Sequence, residues 1–180
     1  MNPPRLAPEI PFPPYSYVPR RFPHPTRDPE GHSFGRGEQA VEALTEADWP
    51  ASAEYLFGVD LFNHGYYWEA HEAWEGVWHA CGRAGEAADF LKALIKLAAA
   101  GVKAREGNEN GVRRAALRAA ELFAELAIER GGAGIGFLGL SLERLREDSN
   151  QLAGEAAHVL NTEDAPVIVA LPFRLSVTTS

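Results

Sequence analysis

The chain has 180 residues, with 17 basic against 25 acidic side chains and a formal charge of −8. That balance repels a phosphate backbone and argues against nucleic-acid binding as the main task, and a membrane surface is disfavoured on the same ground. No apolar run reaches the roughly 20 residues of a spanning helix, and prolines stand where a signal peptide would be apolar, so a cytoplasmic protein is expected. A single cysteine, Cys81, excludes an intramolecular disulfide and any cysteine-cluster metal site.

Ten of the thirteen prolines precede residue 30, so the first segment is read as an extended arm. Phe12, Tyr15, Tyr17 and Phe22 are interleaved with those prolines, which predicts that the arm, residues 1–37, packs along the domain instead of floating free. Its later part, from His24 to His32, reads first as a surface turn set by Asp28-Pro29 and Glu30-Gly31. The alternative is that its histidines reach a site on the domain.

The pattern becomes helical at Asp48, a predicted N-cap with Pro50 in the first turn. Tyr55, Val59 and Phe62 recur at helical spacing up to Gly65, giving a first helix. A second runs from about Tyr66 to Cys81, and a third from about Glu86 to Arg105. The third forms a hairpin with a fourth, capped by Asn108 or Asn110 and ending near Gly131. A shorter helix is expected to hold Phe137, Leu138, Leu142 and Leu145 and to end by Gly154. The tail from Ala165 to Phe173 has strand-like composition without an evident partner strand; it either docks on the bundle or pairs with another chain. The expected fold is all-α, a compact bundle of three principal antiparallel helices with supporting helices and the proline-rich arm. The helical domain spans residues 38–154 and the C-terminal tail 155–180.

The chemistry concentrates in the second helix, where Trp68, Trp74 and Trp78 surround His71, Glu72 and Glu75. At about 100° per residue, Tyr67, His71, Trp74 and Trp78 share a stripe predicted to face the core, while Glu69 and Ala73 point away. Trp68, Glu72, Glu75 and His79 lie along its flank, and His71 to Glu75 is an i,i+4 pair. Three readings compete. Tyr67, Trp68, His71, Glu72, Glu75 and Trp78 can wall a pocket for a small molecule or peptide, and an acidic aromatic cage favours a cationic or polyhydroxylated ligand. His71 and Glu75 can instead be two ligands of a divalent metal in a hydrolase, although His-Glu-x-x-Glu lacks the second histidine of the zincin pattern and no nucleophile or oxyanion donor is visible. Without a metal, no cofactor is expected. The third reading is structural: the tryptophans are core, and Lys92, Lys96 and Lys103, one stripe of the third helix, either pair with the acids or face solvent. A scaffold whose arm or tail joins subunits of a homo-oligomer belongs to the same class.

The run from Leu61 to Trp78, containing Asn63-His-Gly65, Trp68-Glu-Ala-His-Glu72 and Glu75-Gly-Val-Trp78, followed by Phe90 to Ala100 and Gly107-Asn-Glu-Asn-Gly111, resembles the DUF309 family of small helical bacterial and archaeal proteins. The resemblance covers about residues 55–125 and implies a compact helical bundle, with no reaction attached. The chain departs from the family pattern at Lys96, where Gln is usual, and at Lys103, where His is frequent. A lysine facing His71 would oppose a bound cation.

Overall fold

A computed structural model describes residues 4–37, 40–132, 134 and 136–178. The first three residues of the predicted arm, the predicted boundary at 38, and positions 133 and 135 of the glycine-rich stretch therefore lie outside the described residues. The fold is all-α: five helices, with one two-stranded hairpin as the only sheet among the described residues. No described helix is long and apolar enough to cross a membrane.

The first helix, α1 (Ala53–Asn63), has its cap four residues later than predicted. Asp48 and Pro50 instead open a separate 3₁₀ turn, Trp49–Ala51, and the Ser52 hydroxyl accepts the amide of Tyr55 at 3.4 Å to cap α1. Helices α2 (Tyr67–Ala80), α3 (Glu86–Glu106) and α4 (Glu109–Glu129) follow within a residue or two of expectation. Gly107, at a φ of 74°, ends α3, and the Asn108 side chain accepts the Gly111 amide at 2.8 Å to start α4. Two residues thus reverse the chain between two long helices, which pack along each other as a hairpin.

The predicted fifth helix is shorter than expected, because Phe137 and Leu138 are not part of it. Gly136–Phe137 (β1) pairs antiparallel with Leu140–Ser141 (β2) across a turn in which Leu138 and Gly139 both have positive φ, at 48° and 78°. A side chain on Gly139 would strike the Trp49 ring, so the turn is also a packing site. The Leu138 carbonyl accepts the buried hydroxyl of Tyr55 at 2.7 Å, a long-range bond that favours the hairpin over another helical turn. Helix α5 (Leu142–Gly154) then starts from Ser141, whose hydroxyl accepts the Arg144 amide, and packs on α4.

Helices α1 to α5 pack each against the next. Where the large rings of α2 meet their neighbours, glycine makes room: a Cβ on Gly58 of α1 would strike the Trp74 indole, and one on Gly101 of α3 the Tyr67 ring. The core line of α2 is Tyr67, Ala70, Trp74 and Val77. It is rotated from the predicted stripe, since His71 and Trp78 are only half-buried.

Both end segments lie on the helices. Phe12 of the arm stacks on Tyr66 and Phe57 with ring centroids 4.9 and 6.1 Å apart, and the Arg5 guanidinium lies 4.0 Å from the Phe12 ring. The tail docks on the bundle without forming a strand. The Tyr67 hydroxyl accepts the amides of Ala170 and Leu171 at 3.0 and 2.9 Å. The buried Arg105 guanidinium donates to the carbonyls of Asn161, Glu163 and Ala165, and the Asn63 side chain both donates to and accepts from Leu175. These side-chain bonds satisfy tail backbone groups that a sheet would otherwise have paired.

Candidate functional site

Two carboxylates beneath the arm explain how it is held. Asp60 of α1, 1% exposed, accepts the amides of Leu6 and Ala7 at 2.8 to 3.0 Å, with Arg5 Nε 3.4 Å away. Glu69 of α2 accepts the Tyr17 amide at 2.8 Å through Oε1, and His32 Nε2 lies 3.1 Å from the same oxygen. Glu69 was expected to point away from the core; it is buried because the arm covers that side of α2. Its second oxygen, Oε2, is buried with no hydrogen-bond partner among the described residues.

Between the arm and these helices lies an open cleft of about 610 Å³. Its apolar walls include Phe12, Phe57, Leu61 and Trp68; its acidic groups are Glu54, Glu69 and Glu72, against Arg36 and His32. Trp68 is held on edge by Tyr17 and His24, with ring centroids 5.3 and 5.7 Å away. The histidines of the predicted surface turn thus reach α2 from above.

The six residues singled out in the sequence divide among four settings. Trp68 and Glu72 line the cleft. Tyr67 is a core residue that binds the tail, and burial pushes its hydroxyl up to about 12. His71 and Glu75 stand together on the other flank of α2, Nε2 to Oε2 3.8 Å, too long for a hydrogen bond. Trp78 is half-buried beside His79 and under the Arg83 guanidinium, 5.5 Å from its ring. Glu72 is the hinge between the two flanks, since one ligand-capable atom from each of His71, Glu72 and Glu75 lies within 4.8 Å of the others.

Crowding at the hinge is visible in its acid–base properties. Although more than a third of Glu72 reaches solvent, its carboxyl is pushed up to about 7. Partial burial contributes most and Glu75 and Glu69 add repulsion, against which Arg27 pulls down. His71 is held below its ordinary value, first by burial and then by Lys96, with Glu75 opposing. Of the lysine stripe, Lys96 therefore acts on the cluster, whereas Lys103 pairs with Glu106 at 2.6 Å.

Residues 55–115 match the family model for a domain of unknown function, DUF309. The matching stretch covers about a third of the chain. It contains all of α2 and α3, so His71, Glu72 and Glu75 and one wall of the cleft fall inside it, while the arm that forms the other wall falls outside. No curated protein and no solved structure matches the chain.

Sequence reading missed Asp60 and Glu69, together with the arm groups that meet them. For Asp60 a signal existed: an acid between Val59 and Leu61 on an apolar helix demands a buried partner. Glu69 offered none, because nothing local to α2 says that a segment 52 residues away covers it.

Proposed function

We propose that the DUF309-matching segment and the arm together form a binding module for a small molecule, or a peptide side chain, that carries a cationic hydrogen-bond donor on an apolar body. The observation that supports this reading is Glu69: a cleft-wall carboxylate, buried, with one oxygen unpartnered among the described residues, in a cleft that also carries Trp68, Phe57 and Phe12. A buried acceptor without a donor costs on the order of 1–3 kcal/mol, which an incoming N–H group would recover. The cleft volume falls in the ordinary range for such ligands, and Glu72 and Glu54 bias it toward positive charge. Glu72 sharpens the bias, since a cation beside it would draw its proton off near neutral pH.

The test is titration of the isotope-labelled full chain with phenethylammonium and, as neutral control, 2-phenylethanol. Saturable amide shifts at Trp68, Glu69, Glu72 and Phe12 with the amine, weakened about tenfold in Glu69→Gln, are expected from the loss of one charge-assisted bond. Glutamine keeps a carbonyl oxygen for Tyr17 and His32, so the arm stays seated. Absence of saturable shifts in the cleft with either compound would reject the module.

A second reading, a metal-dependent hydrolase using His71 and Glu75, is favoured by one observation, the approach of His71, Glu72 and Glu75 to within 4.8 Å. Glu72 would be its third ligand or its base, and Lys96 opposes it. Zinc that leaves both the melting temperature and the α2 amide resonances unmoved would eliminate it.

A further inference from the structure

A second cleft, of about 520 Å³, opens on another part of the molecule and is lined by Pro19, Arg20, Arg21, Lys103, Glu106 and Asn108. It is built where the arm crosses the α3–α4 junction, the Gly107-Asn-Glu-Asn-Gly111 motif that the first cleft does not use. The motif shapes its floor: a Cβ on Gly111 would sit 2.8 Å from Cγ and Cδ of Lys103, so glycine there lets the lysine stem lie across the junction. From above, a turn in which the amides of Arg21 and Phe22 both donate to the Val18 carbonyl sets Arg20 and Arg21 side by side in the wall.

The charges of this cleft are out of balance on a chain that is acidic overall. Lys103 is paired with Glu106 at 2.6 Å. Arg20 is exposed and has no ion-pair or hydrogen-bond partner among the described residues, and Arg21 has only the Glu163 carbonyl at 3.5 Å. Behind them the buried Arg105 is bonded to tail carbonyls and to no carboxylate, with Glu163 and Asp164 as its more distant counter-charges. Arg21 is close enough to disfavour the charge on Arg105, after the larger effect of burial. Arg20 and Arg21, neither bonded to a carboxylate among the described residues, offer the cleft guanidinium donors suited to an oxyanion.

We infer that the cleft between the Pro19–Arg21 turn and the α3–α4 junction is an oxyanion-binding site, in which Arg20, Arg21 and Lys103 hold a phosphate or carboxylate group of a small molecule. Arg20 and Arg21 supply the free donors, and Lys103 contributes charge without leaving Glu106. The site is separate from the acidic cleft, shares no lining residue with it, and stands whether or not that cleft binds amines.

Titration of the isotope-labelled full chain with inorganic phosphate, against sodium chloride at equal ionic strength, tests it. The expected result is saturable shifts of the amides at 20–21 and 103–111 with phosphate and none with chloride, and about a tenfold weaker response in Arg20→Gln. Glycerol phosphate and malonate are run in parallel. Tighter binding of the first points to phosphomonoesters, of the second to carboxylates, and of neither to free phosphate. Equal shifts with phosphate and chloride, or a phosphate response unchanged in Arg20→Gln, overturn the inference. Arg20 bonds nothing among the described residues, so this variant is expected to fold whatever becomes of Arg21→Gln.

Discussion

Four carboxylates on α1 and α2, Asp60 and Glu69 on one hand and Glu72 and Glu75 on the other, share one short stretch of sequence and lead different lives. Asp60 and Glu69 are buried and accept backbone amides of the arm. Glu72 and Glu75 reach solvent and, among the described residues, accept no backbone amide. The difference lies in what covers them. An acid under the arm replaces its lost water with main-chain donors and becomes a staple, while Glu72, which no arm amide reaches among the described residues, keeps its electrostatic strain. Staple-like and solvent-facing acids therefore stand side by side in one stretch of sequence.

The sharpest way to break this contrast is Asp60→Ala. Removing the carboxylate strands the amides of Leu6 and Ala7 and leaves Arg5 without its ion-pair partner. The expected loss is on the order of 3–5 kcal/mol, read from urea unfolding, with rapid hydrogen exchange at Leu6 and Ala7. A cost below about 1 kcal/mol would show that the arm is held chiefly by Phe12 and its ring contacts. Glu69→Ala comes next, on the order of 1–3 kcal/mol, because it frees the Tyr17 amide and His32 but also removes an oxygen that had no partner. A cost equal to that of Asp60→Ala would mean that Oε2 is better satisfied than its surroundings indicate.

How much of this contrast the sequence discloses depends on range. The helices were legible because their signals are local: Gly107 and Asn108 mark the α3–α4 junction, and apolar periodicity marks α3 and α4. The cap of α1 is Ser52 and not Asp48, because residues of both types cap helices and only packing decides between them. The hairpin at 136–141 escaped because each strand has two residues, and the bond from Tyr55 that favours it is 83 residues distant. Trp68 and Glu72, two of the six residues read as a pocket wall, line the cleft. Glu69 was missed, since a wheel for α2 knows the bundle but not the arm.

Among the solvent-facing acids, Glu72→Gln is expected to show a smaller, pH-dependent effect. Because the folded carboxyl is raised from 4.5 to about 7, the native state binds more protons than the unfolded state between those values. Stability therefore falls as pH rises from about 4.5 to 7 and stays lowered above. Glutamine removes that penalty, so the variant should match the wild type near pH 4 and exceed it at pH 8. The gain is about 1 kcal/mol, well below the full shift because solvent screens a side chain this exposed. A pH-independent difference in urea midpoints would show that Glu72 titrates normally.

The smallest effect is expected at His71, and its sign carries the information. Held below 6.5 by burial and Lys96, the folded imidazole binds fewer protons than the unfolded one, so it lowers stability as pH falls below 6.5. At pH 8 it is neutral in both states, and its 3.8 Å approach to Glu75 contributes little. His71→Ala should then cost within about 1 kcal/mol at pH 8, and less, or nothing, at pH 5. Paired unfolding curves at the two pH values decide the matter. A loss near 3 kcal/mol at pH 8 would return His71 to the class of Asp60 and Glu69, as a buried group whose partners the fold cannot spare, whereas a near-neutral substitution leaves the tolerance for change that a binding site on a stable helix would have.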